Sequence, residues 1–68
     1  MSATTYMNIE ITYQLDKDKF YIDYIYNDKV YYTETFYDKY SVHEYLTNNL
    51  FMNYDEANNL INEVINNS

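Results

Sequence analysis

The chain predicts an α+β fold, a three-stranded antiparallel β-meander followed by two helices packed on one face (βββαα). Three observations carry this reading. Apolar and polar residues alternate through the first half, the hydrophobic period becomes helical in the second, and Asn, Asp and Ser separate the periodic stretches in a chain without glycine or proline. With 68 residues there is room for one domain, 1–68.

From Thr4 to Leu15, Met7, Ile9, Ile11, Tyr13 and Leu15 face one way, while Tyr6, Asn8, Glu10, Thr12 and Gln14 face the other, as in a half-buried strand. Asp16-Lys17-Asp18-Lys19 is a polar turn. Phe20 to Tyr26 is a second strand, and Asn27-Asp28-Lys29 a second turn, because Asn and Asp tolerate left-handed backbone. Val30 to Tyr37, rich in aromatic and β-branched residues, is the third strand. Ser41-Val42-His43-Glu44 then reads as a capping box, with Val42, Tyr45, Leu46, Asn49 and Leu50 at helical spacing behind it. Asn53 to Asp55 interrupts the pattern, Asp55 being the expected second N-cap. Ala57, Leu60, Ile61, Val64 and Ile65 form the apolar stripe of a second helix.

Composition narrows the function. Eleven carboxylates against four lysines and no arginine leave a formal charge of −7. Such a chain repels phosphate, so direct nucleic-acid binding and anionic membrane surfaces are both disfavoured, and the natural partner is a basic protein. Aromatic residues make up 21 % of the chain, including eleven tyrosines, which argues against disorder. No cysteine is present, no run approaches a membrane span, and Met1 to Leu15 lacks the pattern of a signal peptide. The expected location is the cytoplasm.

Each lysine follows an aspartate (Asp16-Lys17, Asp18-Lys19, Asp28-Lys29, Asp38-Lys39), which leaves seven carboxylates uncompensated: Glu10, Asp23, Glu34, Glu44, Asp55, Glu56 and Glu63. Glu10 and Asp23 lie on the outer face of the meander, Asp23 with Tyr21 and Ile25. Glu34 depends on the second loop. An even residue count there puts Glu34, Val30, Tyr32 and Phe36 on Asp23's side, whereas an odd count turns Glu34 toward the helices. Burying Glu34 unpaired is costly, so the even loop is expected. The outer face then carries Tyr21, Ile25, Tyr32 and Phe36 among Glu10, Asp23 and Glu34, a contact surface for a partner or for a second copy.

The residues of catalysis and metal binding are missing from the pattern. His43 is the only histidine and is expected on a helix surface. Asp16-x-Asp18 opens like a calcium loop, but Phe20 and Tyr21 stand where an oxygen ligand and a glycine belong. No nucleophile is paired with a base, so the expectation is a non-enzymatic protein with no catalytic residues, metal or cofactor.

In size, charge, Tyr/Asn bias and element order the whole chain resembles the small acidic inhibitors of phages and mobile elements, the anti-CRISPR type among them. The resemblance implies a DNA mimic that occupies the basic DNA- or RNA-binding surface of a host protein: a CRISPR effector where it would read the PAM duplex, a restriction enzyme or a repair enzyme. The favoured partner-binding residues are Glu10, Asp23, Glu34, Tyr21, Tyr32 and Phe36 on the sheet, with Glu44, Asp55 and Glu56, alongside Glu63, on the helices. The alternatives are a structural or regulatory module that forms a homodimer through the aromatic face, and an antitoxin-like partner of a basic protein.

Overall fold

Three hairpins, each closed through left-handed backbone, shape the first half of the chain, one more than three strands would need. The computed structural model describes residues 2–67, in the order β1 (Ser2–Tyr6), β2 (Ile9–Gln14), β3 (Lys19–Tyr26), β4 (Lys29–Phe36), α1 (Lys39–Asn48) and α2 (Tyr54–Asn66). The four strands form one antiparallel sheet in sequence order. The α+β class therefore stands, and the strand count is corrected from three to four.

The stretch expected as one strand over 4–15 folds back at Met7-Asn8, where Met7 adopts φ 52°. Tyr6 then pairs with Ile9 and joins the helix-facing side, not the outer side with Glu10. Methionine is a poor turn residue, and its apolar side chain kept the alternation intact across the turn. The β3–β4 hairpin is conventional by contrast. Asn27 and Asp28 both take positive φ, 51° and 64°, the geometry of a two-residue primed turn, using the two residue types besides glycine that best tolerate it.

Beyond that turn the β3–β4 register slips by one. Tyr26 faces Lys29 and Ile25 faces Val30, but Tyr24 faces Tyr32, so Tyr31 is an extra residue in β4. The loop itself has the even count expected. The bulge reverses the parity after it. Tyr32, Glu34 and Phe36 consequently stand opposite Tyr24, Ile22 and Phe20, on the helix-facing side, and the expectation that they share the outer face with Asp23 is overturned. The gain is apolar: Phe36 packs against the core and its ring lies 5.1 Å from that of Tyr45.

The core fills the space between the sheet and the helices. Ile9, Ile11, Tyr13, Phe20 and Ile22 meet Val42 and Leu46 of α1, Met52, and the α2 stripe Ala57, Leu60, Ile61 and Val64. Helix α2 covers β1 and β2, and α1 reaches β4. Both caps differ from expectation. Asp38, not Ser41, caps α1 by accepting the Ser41 amide at 2.8 Å, and Asn53, not Asp55, caps α2 by accepting the Glu56 amide at 2.7 Å. In each case an equally competent side chain two or three residues upstream takes the position. Between the helices, the Met52 amide closes onto the Leu46 carbonyl at 3.1 Å, which forces Phe51 to φ 59° with its ring 86 % exposed. Among the described residues no helix is long and apolar enough to cross a membrane.

Met7 and Phe51 hold left-handed backbone while burying almost nothing. Replacing either with glycine relieves the clash between Cβ and carbonyl and removes little packing. Met7→Gly and Phe51→Gly are each expected to stabilise the fold by about 0.5–1 kcal/mol, read as a rise of a few degrees in Tm by circular dichroism.

Candidate functional site

Both helices lie on one side of the sheet, so its other side is uncovered. Register places four rows of side chains there. Thr5, Glu10, Asp23 and Thr33 form one row across all four strands; Ala3, Thr12, Tyr21 and Thr35 form the next. Gln14 and Lys19 end the face on one side, Ile25 and Val30 on the other. Its sequence origin is plain: these are the polar or small positions of strands whose alternate positions are Ile, Tyr and Phe.

The Thr5–Thr33 row concentrates charge. The Ile25 amide donates to the Asn8 carbonyl at 2.8 Å, toward β2, and alternation along β3 turns the Asp23 backbone the same way. Glu10 and Asp23 thus form a hydrogen-bonded pair, with Cα atoms about 5.5 Å apart and both carboxylates on the same face. Thr33 Oγ1 donates to Asp23 Oδ1 at 2.6 Å, while Glu10 has no partner among the described residues. Lys19, on the same face, is four residues along β3, about 13 Å away at the usual strand rise. Its ammonium sits 5.3 Å from the centre of the Tyr37 ring. The two carboxylates are left facing each other without a cation, an arrangement that destabilises a sheet.

Tyrosine and threonine frame the pair. Tyr21 donates its hydroxyl to Gln14 Oε1 at 3.0 Å, which fixes the ring over the next row. Thr12, in register between Ala3 and Tyr21, is 7 % exposed although no helix covers it. Together these groups make a flat surface of short side chains from which two carboxylates project. It suits recognition of a guanidinium or ammonium group, which two carboxylates can bind together.

The remaining residues predicted from sequence lie elsewhere. Tyr32 donates to Glu34 on the helix-facing side of β4, and this bond, with the Glu34 charge, holds the Tyr32 phenol above its ordinary pKa. Tyr24 beside them is raised further, first by burial and then by its hydroxyl bond to Tyr45. Phe36 and Glu44 border a shallow pocket at α1. Asp55 and Glu56 occupy the first turn of α2, where the helix dipole favours them, and Glu56 lies 3.5 Å from the Tyr6 hydroxyl. Glu63 is exposed on the same helix. Glu10, Asp23 and Tyr21 therefore come together, and Glu34, Tyr32 and Phe36 form a separate group across the sheet. Thr5 and Thr33 also belong to the outer face and were missed, since only the strand pairing sets them beside the carboxylates, whereas Thr12 lies on Glu10's side as the alternation predicts.

A groove of about 480 Å³ separates α1 from α2. His43 lines it, donating from Nε2 to the Tyr54 carbonyl at 3.2 Å with its ring edge-on to Tyr54 at 4.5 Å. The imidazole thus ties the two helices together, which is more than the solvated surface position expected of it. Among the described residues no three His, Cys, Asp or Glu side chains converge as metal ligands.

The chain matches no protein-family model, no curated protein and no solved structure.

Removing one charge from the central pair should relieve repulsion. Glu10→Gln is expected to raise stability by about 0.5 kcal/mol at low salt, measured by urea unfolding. The gain should shrink as added salt screens the pair.

Proposed function

We propose that this protein is an acidic inhibitor that lays its uncovered sheet face on the basic nucleic-acid-binding surface of another protein. Glu10 and Asp23 take up lysine or arginine side chains that otherwise hold phosphates, and Tyr21 with the surrounding threonines provides flat, rigid contact area. The effect is occupation without catalysis: nucleic acid is displaced because its site is filled. The partner class is a host DNA- or RNA-binding protein, with CRISPR effectors foremost and restriction or repair enzymes after them, in the cytoplasm of a bacterial host.

One observation carries the reading. Glu10 and Asp23 stand directly opposite each other on a face with no covering element, and the lysine that shares it among the described residues, Lys19, is about 13 Å along β3, so their mutual repulsion opposes folding. Placing like charges together at a cost in stability is characteristic of binding surfaces. The net charge of −7 adds long-range attraction to a basic groove.

The test uses immobilised protein and a bacterial lysate. A nucleic-acid-binding protein should be retained, released by duplex DNA at an ionic strength where chloride alone leaves it bound, and lost from the Glu10→Gln/Asp23→Asn variant. Affinity should fall at least about tenfold between 50 and 200 mM salt. Retention indifferent to DNA and to both substitutions would contradict the proposal.

A further inference from the structure

Strand β4 is an open edge. It runs eight residues, Lys29–Phe36, with β3 on one side only, and carries neither proline nor glycine. Val30, Tyr31 and Tyr32 are 54, 63 and 50 % exposed. The free amides and carbonyls of an edge this long pair readily with another strand, and Lys29, Glu34 and the bulge at Tyr31 blunt it only in part.

The direction of those free groups follows from the sheet. The Ile25 amide points to β2, so its cross-strand neighbour Val30 turns its own amide and carbonyl away from β3. Asp23 and Tyr21 alternate with it, and Thr33 and Thr35 opposite them likewise face outward. The edge therefore offers the backbone groups of Val30, Thr33 and Thr35.

We infer that this edge pairs with the same edge of a second copy, antiparallel about a two-fold axis, with Lys29 of each chain opposite Glu34 of the other, Val30 opposite Thr33 and Tyr31 opposite Tyr32. Strand parity, seen in both backbone and side chains, and charge select this register. Val30 and Thr33 both present backbone groups outward, so they form the hydrogen-bonded pair on either side of the axis. Side chains match by face: Lys29 and Glu34 both lie on the helix-facing side, and Val30 and Thr33 both on the other. Charge matches too, since the two-fold creates two Lys–Glu pairs from one cation and one anion.

The bulge is what makes β4 self-complementary. The three residues from Val30 to Thr33 span the same length as the two from Ile25 to Asp23, so two bulged strands keep step with each other. Without Tyr31 as an extra residue, Lys29 and Glu34 would fall on opposite faces and could not meet. The product is a continuous eight-stranded sheet with all four helices on one side. It sets the two Glu10–Asp23 pairs on the opposite side, roughly 19 Å apart at a strand spacing of about 4.8 Å. The pairing does not depend on what that face binds.

A single strand pair is a small interface, and a Kd on the order of 10–100 µM is expected. Sedimentation equilibrium should show the 8.3 kDa chain shifting to twice that mass over this range. Val30→Pro, which removes an amide that bonds nothing within the chain, should leave a folded monomer. Glu34→Lys should weaken the dimer about tenfold by turning two attractive contacts repulsive, Lys29→Glu should do the same, and the double exchange Lys29→Glu/Glu34→Lys should restore it. A wild-type chain that is monomeric at about 1 mM, a dimer untouched by Val30→Pro, or a double exchange no better than either single change would each overturn the inference.

Discussion

The parity of β4 decides the character of both faces of this sheet, and it rests on one inserted residue. A β-strand has two sides, and moving its register by one exchanges them completely. With Tyr31 as an extra residue between Val30 and Tyr32, Phe36 reaches Phe20 and Tyr45 and closes the end of the core. Tyr32 and Glu34 come with it, and Tyr32 satisfies the carboxylate by hydrogen bonding. The same slip removes three bulky or charged groups from the outer face and leaves Thr33 and Thr35 in their place. A flat surface with two carboxylates at its centre is thus the counterpart of an aromatic cluster under α1.

Charge serves local structure at several positions, and Glu10 and Asp23 are the carboxylates set directly opposite each other in the sheet. Asp38 caps α1, Asp55 and Glu56 sit in the first turn of α2, and Asp18 accepts the Tyr13 hydroxyl at 2.8 Å. Lys19 and Lys39 lie over tyrosine rings. Each of these positions has a reason in folding. Glu10 has none, and Asp23 opposite it has only Thr33. A small domain without disulfides has little stability to spare, so an uncompensated pair in the middle of its sheet points to a role outside folding.

Much of this was legible in the residues. The alternation of Ile9, Ile11 and Tyr13 marked a half-buried strand and placed Glu10 outward, and the stripe Ala57, Leu60, Ile61 and Val64 marked α2 with the face it buries. Asp23 followed from the same alternation in β3. What escaped were the features that leave periodicity unchanged or break it without a signature. A turn at Met7-Asn8 hides inside an alternating run because methionine occupies the apolar position. A bulge within Val30-Tyr31-Tyr32 is invisible because all three residues suit either face, and Glu34 was misplaced as a result. The caps were misread for a simpler reason: Asp38 and Ser41, like Asn53 and Asp55, are both able to serve, and chain entry from β4 and from the interhelical loop selects the earlier one.

In the proposed function the outer sheet face, rather than any other cluster of carboxylates, meets the basic partner. Titrating isotope-labelled protein with a short arginine-rich peptide, followed residue by residue in NMR spectra, measures that directly. Saturable shifts centred on Thr5, Glu10, Asp23 and Thr33 that fade with salt are expected. Shifts centred instead on Glu44, Asp55, Glu56 and Glu63, with the sheet row unmoved, would contradict the proposal.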